Sequence, residues 1–266
     1  MNGYLRAAVR RGMPLLALAT AAAAAVSPAH ATLLPQSWNG YHWAHTGNLS
    51  IMIGNNTSSA WSSYLRTAEA KWSTDKYIDY VAIGGMTSAR SCSPIYGTVQ
   101  VCSANYGATG WLGYTQVWTS GKQINQATIK LNDYYFGQAK YNNSAFRAQV
   151  ACQEMGNALG LNDLDHIYTN TNAGTCMDYT NDPSGKKGTN GTRANTTADG
   201  TDFKRLDAIY AIKDKTQLPF TNPSFAVNML AVPAAVPEPG SWMLMVGGFM
   251  GLGLSLRRSR KATARA

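Results

Sequence analysis

Twelve residues, Cys152 to Asp163, read CQEMGNALGLND and constrain this chain more than any other stretch. Ser144 to Leu159 carries Phe146, Val150 and further apolar residues at helical spacing, so it predicts a helix. Gln153 and Asn157 stand four apart and leave one face of that helix together. Glu154 follows the first of them. Gly160 allows a sharp turn, which lets Asp163 return from beyond the helix end. Such a set of oxygen-bearing side chains is a site of low charge that suits a hard cation. In the bland alternative they are solvated helix residues and Glu154 has no chemical duty.

Only part of the chain is free to fold around that helix. Residues 1–31 read as a secretory signal: Arg6, Arg10 and Arg11 start it, Met13 to Val26 is apolar, and Ala29-His30-Ala31 is a small-residue cleavage site before Thr32. The run is short for a membrane span, which needs about 20 residues. At the other end, Val236-Pro237-Glu238-Pro239 precedes an apolar segment, residues 242–256, and then Arg257, Arg258, Arg260 and Lys261. The triplet Pro237, Glu238 and Pro239, one hydrophobic segment and a basic cluster together resemble the PEP-CTERM sorting signal of Gram-negative bacteria. That resemblance implies export, transient inner-membrane anchoring through the C-terminal segment, and processing by an exosortase, usually in cells that make exopolysaccharide. The basic cluster stays cytoplasmic by the positive-inside rule, so the body faces outward. Residues 32–216 are then the folded body, 217–235 a Pro- and Ala-rich linker, and 236–266 the sorting signal.

These ends change what the charge means. The formal net charge is +9, yet eight of the 23 Lys and Arg lie in residues 1–31 or after residue 256. Between Thr32 and Val236 there are 15 basic and 13 acidic residues. The basic excess therefore belongs to targeting, and no nucleic-acid partner follows from it.

The body predicts strands at Leu49–Gly54, Tyr77–Ile83, Thr98–Cys102, Trp111–Trp118 and Ala127–Asn132, the last two joined through Gly121. Helices are expected over Thr57–Trp72, with Asn56 or Thr57 as cap, over Ser144–Leu159 and over Thr201–Ile212. Mixed strands with few helices indicate an α+β or α/β layer fold. All four cysteines, Cys92, Cys102, Cys152 and Cys176, lie in the exported part, where an even number suggests two disulfides. Three pairings are open; Cys92–Cys102 is favoured because it closes a short polar loop. The spacing matches no standard zinc pattern.

Gly174-Thr175-Cys176-Met177-Asp178-Tyr179 follows the helix and is similar to the Met-turn of metzincins. With it, the span from about Tyr41 to Ile212 resembles a matrixin-like metzincin metallopeptidase, within a secreted bacterial group that reads CQExGHxxGLxH and then GTCMDYTNDP. Such a peptidase activates a metal-bound water, with the glutamate as base. The resemblance implies a zincin-like α/β fold with a twisted five-stranded mixed sheet, two long helices, and a Met-turn under the metal. It places Glu154 as base, Gln153, Asn157 and Asp163 at the ligand positions, and Met177 in the Met-turn. It also implies a Cys152–Cys176 disulfide between the active-site helix and that turn. A peptide or protein substrate would add as a strand beside Trp111, Leu112, Gly113 and Tyr114. Gln153 is shared with the group, whereas Asn157 and Asp163 replace its histidines. Zn2+ binding is therefore expected to be weak, the oxygen set suiting another divalent cation or none. His166 is an alternative ligand, and His42 and His45 are remoter candidates. The expectation is a metallopeptidase homologue with activity weakened or lost. A non-catalytic matrix or surface protein, associated with exopolysaccharide, is the alternative.

Overall fold

Alternating and β-branched runs build a sheet, and two helical stripes cover it. The computed structural model describes residues 37–187 and 191–215, with the backbone of Val232–Pro237. The expected signal segment and the apolar run at residues 242–256 lie outside the described residues. The elements are β1 (His42–Trp43), β2 (Leu49–Asn56), α1 (Ser62–Trp72), β3 (Ile78–Gly84), β4 (Thr98–Ala104), β5 (Trp111–Ser120) and β6 (Gln123–Asn132). Then come α2 (Asp133–Phe136), α3 (Ser144–Ala158), α4 (Gly200–Tyr210) and β7 (Val232–Pro237).

The strand order is β3-β2-β4-β6-β5-β7, with β1 pairing onto β6. Neighbours from β3 to β6 are parallel, and β5 runs antiparallel to both β6 and β7. The fold is thus mixed α/β with a parallel-rich sheet and few helices. Inner β4 is buried along nearly its whole length, as a parallel strand covered on both faces should be. β5 instead alternates, with Leu112, Thr115 and Val117 buried. The β5–β6 hairpin turns at Gly121, whose φ of 60° is open to glycine at little steric cost. α3 lies over β5 and β6 and against α1. Trp61, Trp72, Ile51, Ile53, Ile129, Leu131, Met155 and Leu159 form the fully buried centre.

Five strands, β2 to β6, fall where the sequence predicts them, and two further strands join the sheet. His42–Trp43 is too short to show a period, and its pairing with Gln123–Ile124 is a long-range contact. Val232–Pro237 spans the end of the stretch read as a linker and the first two residues of the expected sorting signal, and it pairs with β5. The first helix begins at Ser62, later than expected, because β2 runs on through Asn55 and Asn56. Asn56 is consequently no helix cap. Its amide donates to Gln100 Oε1 (2.9 Å) and its carbonyl oxygen accepts from the Thr87 N–H (3.0 Å). Both disulfides are present, Cys92–Cys102 and Cys152–Cys176, with Cα–Cα distances of 5.8 and 5.9 Å.

Candidate functional site

The site is built on α3 and on the turn that ends it. Asn143 caps the start, its side chain accepting from the Phe146 N–H at 3.1 Å. At the far end Gly160 adopts φ 87°. The Leu161 N–H reaches Gly156 O (3.2 Å) and the Gly160 N–H reaches Asn157 O (2.9 Å), a Schellman closure. A Cβ on Gly160 would lie 2.1 Å from Tyr41 O, so no larger residue fits there. This tight exit carries Asp163 back beside the helix.

Four aromatic side chains fix α3 from outside. Trp72 donates to Cys152 O (2.9 Å), Tyr80 to Met155 O (2.8 Å), Trp43 to Ala158 O (2.8 Å) and Tyr210 to Leu159 O (2.7 Å). The last two satisfy carbonyls that a helix C-terminus leaves without partners. All four rings, Trp43 and Trp72 among them, belong to the core.

Gln153 and Asp163 are brought together. The Gln153 amide donates to Asp163 Oδ1 at 3.1 Å, and both side chains are buried. Asn157 is buried on the same face, one helical turn on, and its Oδ1 makes no hydrogen bond among the described residues. His166 stands outside, with Nε2 3.6 Å from Asp163 Oδ2 and its side chain largely exposed. The Asp163 carboxylate beside it raises its pKa, against a smaller opposing effect of burial. His42 and His45 lie elsewhere: His42 contacts Asp214 at 3.3 Å, and His45 packs 5.3 Å from the Tyr210 ring.

Glu154 is fully buried beneath β5. The Thr115 hydroxyl donates to its Oε2 at 2.6 Å. Gly113 leaves the space its other oxygen fills, because a Cβ there would come within 2.5 Å of Oε1. Burial pushes the carboxyl well above the usual carboxylate range, the Thr115 hydrogen bond opposes this, and the nearby Asp163 adds to it. Burial thus favours the neutral form of Glu154 over the carboxylate.

Met177 lies under α3. Its Sδ is 2.5 Å from where a Gly156 Cβ would stand, so Gly156 is required for the approach. The turn is tied down by Leu164 N–H to Met177 O (2.7 Å), by Gln149 to Asp178 O (3.0 Å), and by the Cys152–Cys176 disulfide. Asp178 Oδ2 accepts from the Ala173 N–H (2.8 Å) and from Asn195 (2.6 Å). Burial nevertheless raises its pKa to about 6. Trp111, Leu112, Gly113 and Tyr114 open β5, with Gly113 paired to Leu131 on β6. Their other side faces β7, which pairs Trp111 with Pro237 and Tyr114 with Ala235.

Sequence reading missed Thr115 and Gln149. A threonine in a strand and a glutamine in a helix carry no signal until the sheet sets what they face.

Beyond the body, the sorting tail is recognisable. Residues 235–259 match the PEP-CTERM protein-sorting motif. The PEP-CTERM motif indicates export and surface sorting in Gram-negative bacteria, and recognition by exosortase machinery. Pro237, Glu238 and Pro239 fall inside it, and its first three residues are also the last three of β7. No curated protein matches the chain.

The donors do not fit zinc. Two of the three expected ligand positions hold neutral amides, and the Gln153 amide turns an N–H, which cannot ligate, toward Asp163. Among the described residues, no three His, Cys, Asp or Glu side chains gather as a metal cluster. The arrangement as it stands buries Glu154, which raises its pKa, and ties Asp163 to Gln153 by a hydrogen bond.

Proposed function

We propose that this chain is an exported, surface-sorted protein on a metzincin-like metallopeptidase scaffold, whose peptide-bond hydrolysis is weak or lost. The observation that carries the reading is the Gln153–Asp163 hydrogen bond, which joins two expected ligand positions to each other. The scaffold reading draws support from Met177 packed under Gly156, from the Cys152–Cys176 link between helix and turn, and from β5, the antiparallel strand above Glu154. Loss of activity draws support from Glu154, because a general base must be ionised and burial opposes that. The surface role then falls to binding, with an extended peptide as ligand. An exopolysaccharide-binding role has less support, since Trp38, Trp43, Trp61 and Trp72 are buried in the core.

Zinc dialysis and casein cleavage test the reading on the purified protein. The unmodified chain should hold zinc weakly and cleave little. The triple change Gln153→His, Asn157→His and Asp163→His should raise zinc affinity strongly and bring out cleavage that Glu154→Ala abolishes. Stoichiometric zinc with Glu154-dependent cleavage in the unmodified chain would overturn the loss of activity. A folded triple variant that neither gains zinc affinity nor cleaves would overturn the scaffold reading.

A further inference from the structure

We infer that the outer edge of β5 is a docking site whose resident occupant is the chain's own Val232–Pro237 segment, so that capture of the sorting motif opens this edge. The inference stands apart from the peptidase-like reading, since it needs only the sheet and the motif.

Three observations carry it. First, β7 covers β5 in an antiparallel register: Trp111 with Pro237, Tyr114 with Ala235, Thr115 with Ala234, Gln116 with Pro233 and Val117 with Val232. Backbone N–H and C=O groups on a sheet edge seek a strand, and an extended segment of this kind satisfies them. Second, the matched motif begins at residue 235, so residues 235–237 belong both to the strand and to the signal. A backbone group has one ladder partner. A sorting enzyme that pairs with the backbone groups facing β5 therefore competes with that strand for them.

Third, the prolines obey a parity. Pro233 and Pro237 stand four apart, so their missing N–H groups fall on one side of the strand. A ladder that uses the N–H groups of Val232, Ala234 and Val236 loses nothing to proline. The opposite side then offers few donors, which discourages a further strand from adding there. Proline spacing thus assigns Val232, Ala234 and Val236 as the donors toward β5, with the Thr115 and Val117 amides as the β5 donors opposite. Thr115 is also the residue whose hydroxyl holds Glu154, so the occupied edge runs beside the candidate site.

Hydrogen exchange on the full chain tests this. In the unmodified protein the Thr115 and Val117 amides should be protected. Ala234→Pro removes an inward donor and should speed their exchange by about tenfold or more. Ala235→Pro adds a third proline of the harmless parity and should leave exchange unchanged. Slow exchange across β6 in both variants shows that the fold is kept. A synthetic peptide of residues 230–239 added to the Ala234→Pro variant should restore protection. An antibody against residues 235–241 stands in for the sorting enzyme and should speed exchange at Thr115 and Val117 in the unmodified chain. Fast exchange there in the unmodified chain, equal effects of the two prolines, or failure of the peptide to protect would overturn the docking. Antibody binding with no change in exchange would overturn the coupling to capture.

Discussion

Gly113 shows how a single residue sets the site. In a strand a glycine weakens the sheet, and its presence marks a close approach. Here the approach is Glu154, with Val150 beside it: an added Cβ would meet Oε1 at 2.5 Å and Val150 Cγ1 at 2.7 Å. Gly113→Ala should destabilise the protein by about 1–3 kcal/mol through overpacking, read as a lower denaturant midpoint. Asp178 makes a different point about one residue. Its folded pKa, about 6, lies above its ordinary value of 3.8. The folded state therefore binds this proton more tightly. The stabilisation is complete below the ordinary value and is lost as pH rises through about 6. Asp178→Asn should raise stability at pH 7.5 by about 1–3 kcal/mol and flatten its rise toward pH 5. Thermal melts of both proteins across that range check it. A variant with the unmodified pH slope would show that another group sets the slope.

At the scale of elements, α3 is held more firmly than its own hydrogen bonds require. Aromatic donors reach three of its carbonyls and that of its C-cap Leu159, and a disulfide joins Cys152 to the turn bearing Met177. The bridge closes a loop of sequence separation 24. Replacing both cysteines, Cys152→Ala with Cys176→Ala, should cost about 3 kcal/mol by the loop-entropy model. The loss should appear in equilibrium unfolding. Hydrogen exchange should rise in Thr175–Tyr179 before it rises in β4. Equal loosening of both segments would mean that the bridge steadies the whole domain and not the turn.

For the whole molecule, export ties the fold to its address. The PEP-CTERM motif marks the chain for surface sorting, and a processed product should begin near Thr32 and end near Pro237-Glu238-Pro239. Mass spectrometry of protein recovered from the producing cells reads both ends directly. An intact chain kept in the cytoplasm would contradict this processing. Acidic and basic residues nearly balance within the body, so sorting and not bulk charge directs where it goes.

How much was legible depended on how far each signal reaches along the chain. Strand alternation, helical spacing, the Gly160 stop and the sorting tail are local patterns, so backbone sterics and periodicity reveal them in a single chain. The pairing of Cys92 with Cys102 is similarly short in reach. Tertiary structure alone decided that Gln153 bonds Asp163, that Thr115 and Gly113 enclose Glu154, and that Val232–Pro237 covers β5. Each joins residues whose register is set by the sheet as a whole. Burial, which raises the pKa of Glu154, arises only when distant strands and helices exclude water together.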